Sequence, residues 1–191
     1  MNEKIKMVVF VLLLGSVLTA ALVAVNDFTE PYVKKNRLAK LRKSVLEALG
    51  FEFTTERIDQ VFQAGVKTTT RDSKDFYVTK NGNLAFVFSG SGLWGEIEGV
   101  LCVKNDLETI EAVTIFKQNE TPGLGARIAE SKFLERFKNK KLLPELLILP
   151  PGKATGDNQI DGITGATLSC KALERILNSE AKKYLALYRE K

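Results

Sequence analysis

Phe76-Tyr77-Val78-Thr79-Lys80-Asn81-Gly82-Asn83-Leu84-Ala85-Phe86-Val87-Phe88, residues 76–88, is the stretch that decides the fold. Phe76 and Val78 alternate with polar neighbours before Asn81-Gly82, and Leu84, Phe86 and Phe88 alternate after it. A period of two marks a strand with one buried face. Asn-Gly favours the tight turn that joins antiparallel strands, because both central residues can take positive φ. The segment therefore reads as a β-hairpin. Downstream, Glu96 to Lys104 and Leu107 to Lys117 are rich in Val, Ile and Thr and read as two further strands, with Asn105-Asp106 as the turn between them. The middle of the chain is thus a mostly antiparallel sheet.

Working outward toward the C-terminus, Ser131 to Phe137 reads as a short helix capped by Ser131, and Leu146 to Leu149 as a buried strand closed by Pro150-Pro151. Residues 152–165 read as loop. A last helix then carries Leu173, Ile176, Leu177, Ala181, Tyr184, Leu185 and Tyr188 on one face. In the other direction, Leu38, Leu41, Val45 and Leu49 recur at three- and four-residue spacing, an amphipathic helix ending near Gly50. The fold class is α+β, a mostly antiparallel sheet flanked by helices. The organisation is an anchor over 1–26, a linking helix over 27–50 and one domain over 51–191.

The anchor is Met7 to Val25, an uncharged stretch preceded by Lys4 and Lys6. About 20 helical residues cross a bilayer core. A cleaved signal peptide has a shorter apolar region and a small-x-small cleavage site. Only Thr19-Ala20-Ala21 comes close to such a site, in mid-stretch, so an uncleaved single span is expected. Lys34, Lys35, Arg37, Lys40, Arg42 and Lys43 follow the span and by charge counting would hold the domain inside the cell, yet long domains translocate despite such charges. The residues alone leave the side open.

With 191 residues, a formal net charge of +5, two cysteines and no histidine, the composition narrows the chemistry. Lys and Arg are interleaved with Glu and Asp, which argues against a nucleic-acid interface. Haem attachment, an iron–sulfur cluster and a zinc site each need Cys and His sets the chain lacks. A histidine general base is excluded as well. Redox chemistry here would have to come from an organic cofactor. Cys102 and Cys170 read as one buried and one helical cysteine, with pairing left open.

The chemistry concentrates in Asp161-Gly162-Ile163-Thr164-Gly165-Ala166-Thr167-Leu168-Ser169. This loop enters the last helix, so it offers hydroxyls and free N–H groups at a helix N-terminus, a natural phosphate site. Gly162 and Gly165 permit close backbone approach. The plainer alternative is that one Thr merely caps the helix.

This stretch resembles the flavinylation motif of the FMN-binding domain shared by the G subunit of Rnf electron-transport complexes and the C subunit of sodium-translocating NADH:quinone reductases. Two further segments carry the resemblance. Glu120-Thr121-Pro122-Gly123-Leu124-Gly125 is similar to the family loop that lies against the flavin ring, and Gly90-Ser91-Gly92-Leu93-Trp94-Gly95 to its glycine-rich loop ending in tryptophan. For Trp94, an ordinary core aromatic is the competing reading.

The resemblance implies one FMN per chain, bound covalently as a phosphoester on Thr167. Thr164, Gly165 and Ala166 would surround the tether, and Glu120, Thr121, Gly123, Leu124 and Trp94 would lie near the ring. No catalytic residue and no metal ligand is implied. It further implies an electron carrier whose domain faces away from the cytoplasm on the bacterial inner membrane. Its partners would be the other membrane subunits of an Rnf-type complex, and a separate flavin transferase would attach the cofactor. The Rnf G subunit is favoured over its quinone-reductase counterpart because little surrounds the common domain. The alternatives are that counterpart, a stand-alone FMN carrier, or an anchored non-redox domain that binds a phosphorylated ligand.

Overall fold

The computed structural model describes residues 2–189, which divide into two compact units at Ala39/Lys40. The first unit is helical from Glu3, as the opening part of helix α1 (Glu3–Ala48). This helix is long and apolar enough to cross a membrane by length and composition, and its apolar side chains from Met7 to Val25 are exposed.

The second unit is built on a five-stranded antiparallel sheet of β1 (Lys67–Arg71), β2 (Lys74–Val78), β3 (Leu84–Ser91), β4 (Glu96–Val103) and β5 (Ile110–Lys117), in sequential order. The expected hairpin is β2–β3, with Phe76 opposite Phe86 and Val78 opposite Leu84. Side-chain alternation gives the sheet two apolar faces. Phe76, Leu84, Phe86, Phe88, Ile97 and Leu101 pack on one side with Leu173, Ile176 and Leu177 of the last helix, α4 (Thr167–Arg189). Tyr77, Ala85, Val100 and Cys102 pack on the other with Val45, Leu46, Ala48 and Leu49 from the end of α1 and Ile58 of α2 (Ile58–Gly65). Each face is therefore covered by helix, which explains why β4 is buried at nearly every position.

Several local expectations are corrected. Ser131 does not cap its helix. α3 (Ser131–Leu134) is capped by Glu130 without a side-chain bond and passes directly into a 3-10 turn over Glu135–Phe137. The fifth strand begins at Ile110, later than Leu107, because the Asp106 carboxylate accepts the N–H groups of Glu108 and Thr109 at 2.9 and 2.8 Å and holds that segment in a turn. Residues 152–165 are not all loop. β7 (Gln159–Asp161) pairs in parallel with β6 (Leu147–Leu149). Both cysteines are free and buried, Cys102 in the core on one face of the sheet and Cys170 in the core on the other.

Candidate functional site

The parallel pair β6–β7 delivers the chain to the N-terminus of α4. Gly162 donates its N–H to the Leu149 carbonyl at 2.7 Å, and Arg136 Nη1 donates to the carbonyls of Asp161 at 2.7 Å and Gly162 at 3.2 Å. The Asp161 carboxylate accepts the N–H groups of Lys153 and Ala154, both at 3.0 Å. The Ala154 bond foremost, and that of Lys153, hold its carboxyl below the usual range. Asp161 thus ties down the preceding loop. Gly165 then turns the chain with φ +81°, a left-handed conformation that side chains disfavour.

The helix start itself has an unusual cap. Ala166 N–H donates to the Ile163 carbonyl at 3.1 Å, and the Ala166 carbonyl accepts the Cys170 N–H at 2.9 Å. That places Ala166 at the cap position and Thr167 as the first helical residue. Alanine has no side-chain acceptor for the unsatisfied N–H groups of the first turn. The alternative in which a Thr caps the helix is therefore set aside: Thr164 lies before the cap and Thr167 after it, and both are exposed.

In front of this helix end is a cleft of about 390 Å³ lined by Leu93, Trp94, Thr121, Leu124, Gly125 and residues 165–169, within the size range of small-molecule sites. Its walls are apolar and open. In the second unit the exposed large hydrophobic residues, among those described, are Leu93, Trp94, Leu124 and Leu168, and all four line this cleft. Exposed apolar surface gathered in one place marks a binding site. Trp94 is 70% exposed, which overturns the core-aromatic alternative.

Of the residues expected near a cofactor, Thr167, Gly165, Ala166, Thr121, Leu124 and Trp94 line the cleft together. Glu120, Gly123 and Thr164 do not line it. Glu120 is buried behind it, and Gly123 makes the turn of its loop at φ +74°. Sequence reasoning did not single out Leu93, Gly125 or Leu168 as lining residues. Leu93 and Leu168 each adjoin a residue it did choose, and an apolar side chain in a polar, Gly-rich loop is the signal that finds them.

Residues 92–182 match the FMN-binding domain family. The chain is 37% identical over 111 residues to the C subunit of the Na(+)-translocating NADH-quinone reductase of Chlamydia pneumoniae, covering 47% of this chain and 35% of that protein. It is 31% identical over 120 residues to the same-named protein of Neisseria meningitidis serogroup A, covering 58% of this chain and 46% of that one. The chain thus spans about a third to a half of the length of these relatives. Among solved structures, that of the C subunit of the Na(+)-translocating NADH-quinone reductase from Parabacteroides distasonis superposes with a TM-score of 0.75 at 22% identity, covering 84% of this chain and 96% of that one. At this identity the likeness speaks for the fold.

Proposed function

We propose, starting from the match of residues 92–182 to the FMN-binding domain family, that the chain is an electron-carrier chain of a membrane-bound oxidoreductase and holds its FMN as a phosphoester on Thr167. The observation that carries this reading is the helix start. An exposed threonine stands as the first residue of a 23-residue helix whose cap is alanine, and it opens on an apolar cleft. Phosphate oxygens on Thr167 would take the hydrogen bonds that Ala166 cannot supply to the N–H groups of the first turn.

The residues present fit the group. Leu93, Trp94, Leu124 and Leu168 would give an isoalloxazine ring apolar walls and an aromatic face. Bound FMN supplies one- and two-electron chemistry, and the chain supplies position and surroundings. Among the residues lining the cleft none is a titratable acid or base, which suits an electron carrier better than an enzyme with its own proton-transferring substrate.

Attachment forms a bond from Thr167 Oγ1 to the flavin phosphorus, with loss of the hydroxyl proton and departure of whatever group the flavin donor carried on that phosphate. A threonine hydroxyl is a weak nucleophile, and the chain has no histidine to activate it. A separate flavin transferase therefore provides the base and the donor.

The named relatives are C subunits of Na(+)-translocating NADH-quinone reductases, and the carrier reading is placed with them first. The alternative placement in an Rnf complex, as its G subunit, rests on the motif resemblance alone. The apolar stretch in α1 serves as the membrane anchor, with the domain on the extracytoplasmic side of the bacterial inner membrane and the other subunits of the complex as its partners.

The test is the flavin fluorescence of the denatured protein on a gel after co-expression with a flavin transferase. Fluorescence that travels with the chain supports the reading. A colourless chain, or flavin released by denaturant, would favour an anchored domain that holds a phosphorylated ligand without a bond.

A further inference from the structure

Three segments distant in sequence close around one carboxylate. Glu120 is 4% exposed. Its Oε1 accepts the N–H of Leu93 at 2.8 Å and that of Trp94 at 3.2 Å, and its Oε2 accepts the hydroxyl of Ser169. The backbone is drawn in tightly around these bonds. A Cβ on Gly92 would lie 2.4 Å from Oε1, and one on Gly125 would lie 2.5 Å from Ser169 Oγ and 2.9 Å from Oε2. The glycines on both loops therefore leave the space that the carboxylate and the serine fill.

The consequence is geometric. Two successive N–H groups aimed at one oxygen fix the orientation of the peptides at Leu93 and Trp94, and so the direction in which the exposed indole leaves its loop. Ser169 is two residues past Thr167 on α4, about 200° round the helix, so its buried hydroxyl faces Glu120 while Thr167 is exposed. One side chain thus sets the wall that carries Trp94 against the helix end that carries Thr167.

We propose that Glu120 is a positioning residue. From behind the cleft, without touching the ring, it holds the Leu93-Trp94 loop and α4 in register, so that a flavin tethered at Thr167 meets Trp94 in one fixed arrangement. This rests on the flavin reading of Thr167 and adds to it a division of labour within the motifs. Ser169 serves the carboxylate and not the phosphate, and Glu120 acts through loop and helix.

The experiment uses the full chain, co-expressed with a flavin transferase, as wild type, Glu120→Ala, Glu120→Gln and Ser169→Ala. Two quantities are read: amide hydrogen exchange at Leu93 and Trp94, and the absorption spectrum and reduction potential of the covalent flavin. Glu120→Ala removes all three bonds, so exchange at both amides should accelerate by about tenfold or more. The flavin should stay on Thr167 with a shifted spectrum and potential. Glu120→Gln keeps an acceptor for the two amides and can donate to Ser169 Oγ, so it should restore both readouts most of the way. Ser169→Ala should move the potential in the same direction by less, and it decides the matter if Glu120→Ala does not fold.

Unchanged exchange in Glu120→Ala would overturn the proposal. So would faster exchange with an unchanged flavin, which would make Glu120 a brace for the fold alone. A wild-type chain without covalent flavin would instead defeat the reading of Thr167 and overturn the positioning role with it, and faster exchange in Glu120→Ala would then show Glu120 as a brace for the loop alone.

Discussion

The carbonyl of Ala166 accepts the N–H of Cys170 at 2.9 Å, which closes the first turn of α4 on a cap residue with no polar side chain. A helix that needed only stability would place Ser, Thr, Asp or Asn there. Ala166→Ser should therefore stabilise the chain by about 1 kcal/mol while lowering the fraction that carries flavin, because the new hydroxyl competes with phosphate for the same N–H groups. Thermal unfolding and flavin fluorescence of the denatured protein measure the two effects. A rise in both would mean that the cap and the ligand do not compete.

Trp94 is the only tryptophan in the chain and stands exposed at the cleft. Trp94→Ala should leave stability within about 0.5 kcal/mol of wild type yet change the flavin absorption. Wild-type protein with flavin bound should show quenched tryptophan emission relative to Thr167→Ala. Equal emission from the two would place the flavin away from this wall.

Asn178, buried on α4, serves both backbone groups of one residue: its Oδ1 accepts the Leu146 N–H at 2.9 Å and its Nδ2 donates to the Leu146 carbonyl at 2.8 Å. Asn178→Ala strands a buried donor and a buried acceptor together and should cost about 2–4 kcal/mol. Denaturant unfolding measures it. Because β6 and β7 lead into the helix start, flavin attachment should fall as well, and full attachment at wild-type stability would contradict this account of how the loop is held.

Burial pushes the Cys102 thiol and the Tyr77 phenol each up to about 12, and both lie in the core on the α1 side of the sheet. A raised folded pKa means that the folded chain keeps protons which the unfolded chain has lost. Their stabilising effect is therefore complete below the unfolded values of 9.0 for Cys102 and 10.0 for Tyr77, and it is lost as pH rises from there toward 12. Stability should fall from pH 9 upward, by up to about 1.4 kcal/mol per pH unit for each group. Cys102→Ala should flatten the first part of that fall whatever its effect on baseline stability. An unaltered slope would show that Cys102 does not titrate this way.

The core strands were legible because their buried faces alternate, as Phe76, Leu84, Phe86 and Phe88 do. β1 was not, since Lys67-Thr68-Thr69-Thr70-Arg71 is polar on both faces at the sheet edge and shows no apolar alternation. The three residues of β7 were hidden for another reason. A parallel partner is reached through a crossover and leaves no turn signal beside the strand. At the site, the hydroxyls, glycines and tryptophan could be read from their motifs. The work of Glu120 could not, because its partners Leu93 and Ser169 are 27 and 49 residues away and meet it only in the folded chain.

The bond at the Thr167 hydroxyl is tested most directly by peptide mass spectrometry across residues 156–171. After co-expression with a flavin transferase, the wild-type peptide should be heavier by one FMN less one water, with fragmentation placing the addition on Thr167. Thr167→Ala should abolish it, whereas Thr164→Ala, which leaves the acceptor intact and lies outside the cleft lining, should only reduce the modified fraction. An unmodified wild-type peptide, or flavin retained by Thr167→Ala and lost from Thr164→Ala, would contradict the account.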